Sequence, residues 1–413
     1  MLIVLFAQRT TVNNSGHMAN SILNANSNQT ETPSEQFLKY TELGELSYVE
    51  TVLKQNPSID VNRPRAAGNK TALYIACEKG YADLAKFLLD KKADASISDT
   101  EKETLRSSTK YSPLTIAARN GHLSVVKVLL SSGIDIEARD DGNRTALYAA
   151  AAGNKPDVVR FLCESNAKVN ILARHSSWSP LSGAIHEGYV EVVKVLLKYG
   201  KGVDLEMRIR GNTVLFDAVE RNKPDIVQLL CESNAKVNIY GGLDSKWTPL
   251  TKAAREGFTD VVKVLLKYGK GIDLEMRNKW GDSPLDVASS SKHEDVVKVL
   301  EKYKEEREKQ KQGRKIEDLR RAAERGDPKA QFDLASCYAG GDGIKQDKSE
   351  VAKWLRKSAE QGYAEAQCCL GLLYANGVGV SLDKTEALKW ISKAAKQDHP
   401  PRIMQSCSGL CRW

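Results

Sequence analysis

A block that opens with Thr or Ser returns seven times in this chain, at Thr71, Ser112, Thr145, Ser179, Thr213, Thr248 and Ser283, spaced 41, 33, 34, 34, 35 and 35 residues apart. Two residues into each block stands Leu: Leu73, Leu114, Leu147, Leu181, Leu215, Leu250 and Leu285. Five residues in stands Ala, from Ala76 and Ala117 through Ala253 to Ala288, and seventeen residues in stands Leu again, from Leu88 to Leu300. A unit this short cannot bury its apolar face alone, so such a period implies a row of units packed on their neighbours. The 413 residues would otherwise suggest two or three compact domains at about 150 residues each. The period replaces that expectation with linear arrays.

Each repeated residue has a physical task. The leading Thr or Ser caps a helix N-terminus, and Pro113, Pro180, Pro249 and Pro284 follow at the first helical position, where no N–H is missed. The fixed Ala lets a short first helix approach its neighbour closely. Gly80, Gly121, Gly188 and Gly257 supply a left-handed stop nine residues into the block, with Asn154 and Asn222 as substitutes. A second helix follows with Val-Val and Leu at helical spacing, as in Val192-Val193-Lys194-Val195-Leu196-Leu197. Polar stretches such as Gly202-Val203-Asp204 then make a turn or hairpin.

On these residues the chain resembles the ankyrin repeat family over about 35–303. It departs where that family usually places His after Leu; here stand Tyr74, Thr115, Tyr148, Ser182, Phe216, Thr251 and Asp286. Hydroxyls at some of these positions can bond locally, whereas Phe216 and Asp286 are not expected to copy a His network. Residues 36–62 read as a degenerate opening repeat, the block from Ser283 as a polar closing repeat, and 98–110 as a loop extension. A two-repeat unit is duplicated: Lys194 to Arg208 returns almost unchanged from Lys263 to Arg277, 69 residues later.

Further on the period becomes 36. Gln331 and Gln367, Tyr338 and Tyr374, and Trp354 and Trp390 keep this spacing. Gly341-Asp342-Gly343 and Gly377-Val378-Gly379 keep it too. This stretch is similar to the Sel1-like repeat family, whose helix pairs stack like tetratricopeptide repeats. The expected architecture is all-α, two tandem repeat solenoids in one chain. The expected segments are a disordered 1–34 with Met18 as an alternative start, ankyrin repeats at 35–303, a charged helical connector at 304–315, Sel1-like repeats at 316–399 and a divergent tail at 400–413.

Catalytic constellations do not emerge. His186-Glu187-Gly188-Tyr189-Val190 lacks the second His that a zinc helix needs, and in this register both residues are expected to be exposed near a helix end. Gly340-Gly341-Asp342-Gly343 mimics a phosphate loop but follows a helix and lacks the Lys-Ser/Thr pair; its recurrence makes it an inter-helix turn. The eight cysteines form no CxxC pair and no disulfide framework, and only Cys407 and Cys411 look reactive. No cofactor or metal is called for, and the expectation is a protein that is not an enzyme.

The charge of +8 arises from 61 basic and 53 acidic residues, a mixed surface that leaves room for weak attraction to nucleic acid or an anionic membrane. Such binding would fall steeply with salt. No apolar run approaches the roughly 18 residues that span a bilayer, and Leu2 to Ala7 lacks the flanks of a signal peptide. The expected place is the cytoplasm, with a nuclear or secreted effector as alternatives, and the expected state a monomer.

The ankyrin resemblance implies that partner proteins are gripped by hairpin tips and by the exposed side of the first helix. On this sequence the tips offer Arg144, His175, Trp178, Arg210, Asn212, Asp244, Trp247, Lys279 and Trp280. The first helices offer Arg119, Asn120, His186, Glu187, Glu220, Arg221, Arg255 and Glu256. Trp178 and Trp247 each precede a capping residue, where the core needs no aromatic, and Trp and Arg dominate binding hot spots. Trp354 and Trp390 fall instead at core helical positions. The expected function is a protein–protein interaction scaffold or adaptor; ankyrin and Sel1-like arrays share a chain in several signalling and host-interaction settings.

Overall fold

A computed structural model describes residues 31–64, 70–98, 110–173, 177–242 and 246–397. Its described residues hold twenty helices and no strand, and the chain divides into two compact units, Met1–Val296 and Val297–Trp413.

In the first unit all seven repeated Thr or Ser residues sit in extended backbone as N-caps, each accepting from the N–H three residues on. The first helices they open include Ala72–Lys79, Pro113–Asn120, Ala146–Ala152, Pro180–Glu187, Val214–Glu220 and Pro249–Glu256. Gly80, Gly121, Gly188 and Gly257 close their helices in the left-handed region; Asn154, Asn222 and Lys292 adopt the same sign of φ at the equivalent step. The seven fixed Ala residues are 0% exposed, so two helices meet there with only a methyl group between them. The second helices bury the Val-Val and Leu stripe, as in Val158, Val159 and Leu162. The degenerate opening repeat forms Pro33–Leu43 and Leu46–Gln55, capped by Thr32 and Glu35 in a reciprocal box.

Side chains also tie one repeat to the next. Asn170 Nδ2 donates to the Gly202 carbonyl at 2.7 Å, and its duplicate Asn238 donates to Gly271 at 2.9 Å. His122 and His293 reach back through Nε2 to the carbonyls of Glu78 and Arg255 at 3.0 and 2.8 Å.

The family-departing positions do more than expected. Thr115, Ser182 and Thr251 accept from the backbone N–H of their own N-cap residue, and so does Asp286, from Ser283 at 2.9 Å. Asp286 therefore takes over the local half of the task. Phe216 cannot bond, and instead lies buried with Trp247 and Val287 in a small apolar cluster.

The helix Glu294–Glu324 runs 31 residues without a break, through the stretch expected as a connector. In the second unit Pro328–Gly340, Lys348–Glu360, Ala364–Asn376 and Lys384–Ala395 follow, and Trp354 and Trp390 are buried at 6% and 8% exposure. Gln331 Nε2 donates to Ala323 O and Gln367 Nε2 to Ala359 O, both at 3.0 Å, so the 36-residue period is repeated atom for atom. Burial pushes the Cys163 and Cys231 thiols up to about 11, consistent with packing as small hydrophobes. Cys369 is disulfide-bonded, which the cysteine spacing did not predict; Cys407 and Cys411 lie outside the described residues.

A candidate partner-binding groove between two ankyrin-type repeats

Two adjacent repeats supply the walls of a groove of about 180 Å3 in the first unit. One wall comes from Trp178 and from the helix Pro180–Glu187 with Ser182 and His186. The other comes from the tip Ile209–Asn212 and the helix Val214–Glu220 with Asp217, Glu220 and, at its end, Arg221. The tip is narrow because Ile209 and Asn212 exchange backbone hydrogen bonds at 2.9 and 3.1 Å, leaving Arg210 and Gly211 to turn the chain, both with positive φ. Asn212 fixes the tip to its neighbour by accepting the Gly242 N–H at 2.7 Å through Oδ1.

Six residues read from the sequence as partner contacts thus meet here: Trp178, His186, Arg210, Asn212, Glu220 and Arg221. His186 is half-buried rather than exposed, because its ring packs on Trp178 with centroids 4.0 Å apart, and its Nδ1 is buried with no hydrogen-bond partner among the described residues. Glu187 is exposed beside it. Arg221 pairs with Asp217 at 3.2 Å within the wall, and Glu220 reaches Lys252 outside it at 3.6 Å. Arg210 stays exposed at the tip. Sequence reasoning missed Ser182, Ile209, Thr213, Val214 and Asp217 as lining residues. The Asp217–Arg221 pair at helical i,i+4 spacing was the available signal for one of them.

A second aromatic cluster forms one duplication later. Trp247 is buried at 7% exposure, Trp280 packs against it in a tilted arrangement with centroids 5.3 Å apart while itself 58% exposed, and Arg255 and Lys279 lie over the two indoles at 5.2 and 4.6 Å. Glu256 is exposed and holds Lys252 at 3.1 Å.

Other expected contacts serve the fold. Arg144 is no free tip residue: it is 8% exposed, its Nε bonds Asp140 Oδ2 at 2.8 Å, its Nη2 donates to the Lys110 carbonyl at 2.9 Å, and its guanidinium lies 3.8 Å from the Tyr111 ring centroid. Arg119 is exposed but also donates to the Tyr111 hydroxyl, and Asn120 donates to the Glu78 carbonyl at 3.0 Å. His175 and Asp244 lie outside the described residues. Among the described residues there is no cluster that could hold a metal ion, and no helix is long and apolar enough to cross a membrane.

Family models agree with this layout. A model for ankyrin repeats in three copies matches residues 97–173, 171–241 and 237–311, a single ankyrin repeat matches 68–100, and Sel1 repeats match 328–363 and 364–399. Among curated proteins, the potassium channel AKT2/3 of Arabidopsis thaliana is 31% identical over 223 residues, covering 54% of this chain and 26% of the channel. The glycerophosphocholine phosphodiesterase GDE1 of Candida albicans is 35% identical over 130 residues, which is 31% of this chain and 11% of that protein. The chain therefore spans about a quarter or less of these relatives. The mouse B-cell lymphoma 3 protein homolog is 29% identical over 186 residues, covering 44% of this chain and 40% of its own length. The crystal structure of the ankyrin repeat domain of Bcl-3 aligns at 26% identity and a TM-score of 0.48, covering 57% of this chain and 99% of that one.

Proposed function

The chain belongs to the ankyrin repeat family and carries two Sel1 repeats, and from that premise we propose that it works as a non-catalytic scaffold that grips partner proteins through the groove between Trp178 and Arg221. Both families are interaction modules, and a solenoid presents an extended surface rather than an enclosed reaction site. The observation that carries the reading is the convergence of two repeats on one groove with an aromatic wall and an exposed guanidinium at its rim. A partner segment laid there would cover Trp178, His186 and Ile209. The Trp247–Trp280 pair would extend the contact along the tips.

Capture of partners from lysate by the full chain, followed by mass spectrometry, tests the reading. Trp178→Ala should keep the far-ultraviolet circular dichroism of the wild type, since Trp178 is half-buried and outside the helices. The same variant should retain at least about tenfold less of the captured proteins, as expected for loss of a hot-spot aromatic. Undiminished capture would remove the groove from consideration.

A further inference from the structure

The duplication built one tip twice, and the two copies differ in length by one residue. Lys194 to Arg208 and Lys263 to Arg277 match almost throughout, and Trp178 and Trp247 each stand just before a capping residue. In each copy the residue seven positions after the cap faces that indole, His186 at 4.0 Å from Trp178 and Arg255 at 5.2 Å from Trp247. After Arg208 the first copy turns through Arg210 and Gly211 alone, inside the Ile209–Asn212 bridge. After Arg277 the second runs Asn278-Lys279-Trp280-Gly281-Asp282, closed by the Asn278 N–H donating to the Asp282 carbonyl at 3.0 Å.

The longer tip sets the Trp280 indole against Trp247, tilted by 49° at 5.3 Å, with the Lys279 ammonium 4.6 Å from the Trp280 centroid. The shorter tip has no aromatic to offer. In that copy the space beside Trp178 is the groove of about 180 Å3.

We propose that this groove takes one aromatic side chain, Trp, Tyr or Phe, from an extended segment of a partner protein, in the place that Trp280 fills on Trp247. The inference rests on the groove reading above and names what enters it. Trp178 and His186 supply ring faces for tilted stacking, and Ile209 supplies apolar surface. Arg210 at the exposed rim has no ion-pair partner among the described residues, so it can lie over the incoming ring as Lys279 lies over Trp280. Asp217 is paired with Arg221, while Glu220 shares Lys252 with the nearer Glu256.

Panning the full chain against a random linear peptide library tests this, keeping the clones that bind wild type and fail on Trp178→Ala. Such clones should share an aromatic residue at a fixed position. Synthetic peptides with that residue changed to Ala should bind about tenfold more weakly or worse, a readout that leaves the protein untouched. Grafting the sequence Asn-Lys-Trp-Gly-Asp in place of Ile209–Asn212 should abolish the same binding, because the chain then fills its own groove. Trp178-dependent clones without an aromatic, or anchored by Asp or Glu, overturn the inference, and so does a selection that yields no Trp178-dependent clone. The capture experiment judges the groove itself independently of these outcomes.

Discussion

Arg144 has three partners at once: the Asp140 carboxylate, the Lys110 carbonyl and the face of Tyr111. Asp140 is 6% exposed and also holds the N–H groups of Gly142 and Arg144 at 3.0 Å, so the pair fastens a tip to the preceding repeat. Removing the cation strands a buried carboxylate. Arg144→Ala is therefore expected to cost about 3 kcal/mol in urea unfolding, and Arg144→Lys to recover little of it, since an ammonium cannot reproduce the flat fork that stacks and bonds together. A loss below about 1 kcal/mol would mean the tip relaxes around Asp140. At this scale the caps were legible in the sequence, because each needs only its own hydroxyl and the N–H three residues on. The role of Arg144 was not legible: its burial depends on Tyr111, a ring 33 residues earlier, and no local pattern reports that. His186 was misread for the same reason, its cover being the Trp178 ring.

Helix entry in the array depends on a reciprocal device. In the helix Pro249–Glu256 the Thr248 hydroxyl accepts the Thr251 N–H at 3.0 Å, while the Thr251 hydroxyl accepts the Thr248 N–H at 2.6 Å. Both residues are buried, at 2% and 0% exposure, so neither donor has water to fall back on. Thr251→Val keeps the shape and removes the acceptor. Leaving the Thr248 N–H unmet should cost about 1–3 kcal/mol, measured by thermal unfolding, and Thr251→Ser should recover most of it. A loss for Ser as large as that for Val would show that the methyl group, which Val keeps and Ser lacks, matters as much as the hydroxyl. The sequence announced the device only in part: hydroxyls after Leu promised local bonds, but a carboxylate doing the same work at Asp286 follows from its geometry toward Ser283. The helix Glu294–Glu324 shows the converse. Charge-rich composition marks a change of surface without marking a break in the backbone, and no Pro interrupts it.

Whole-array behaviour follows from contacts between neighbours, and one glycine isolates such a contact. Gly153 has φ −85°, a conformation open to any residue, so an Ala there brings no backbone strain. Its Cβ would lie 2.1 Å from the carbonyl oxygen of Arg119 in the preceding repeat, backbone against backbone. The helix Ala146–Ala152 and the helix Pro113–Asn120 can meet so closely because the first is built almost wholly of Ala. Gly153→Ala should therefore push two repeats apart while leaving each repeat's internal packing intact. In a one-dimensional array this weakens a single interface term, for which overpacking suggests about 1–3 kcal/mol. The period that reveals the array is plain in the sequence, but the tightness of this one interface is not, since it depends on the Arg119 carbonyl of the preceding repeat. All six Trp residues lie after Gly153, so tryptophan fluorescence, excited at a wavelength that tyrosine does not absorb, is blind to the repeats before it, whereas circular dichroism reports every helix. In urea, Gly153→Ala is expected to lose ellipticity before fluorescence, with the two probes further apart than in the wild type, because the earlier repeats unfold without the later ones. If both probes shift together by the same amount, the interface transmits the damage through the whole array and the neighbour-by-neighbour description fails at this joint.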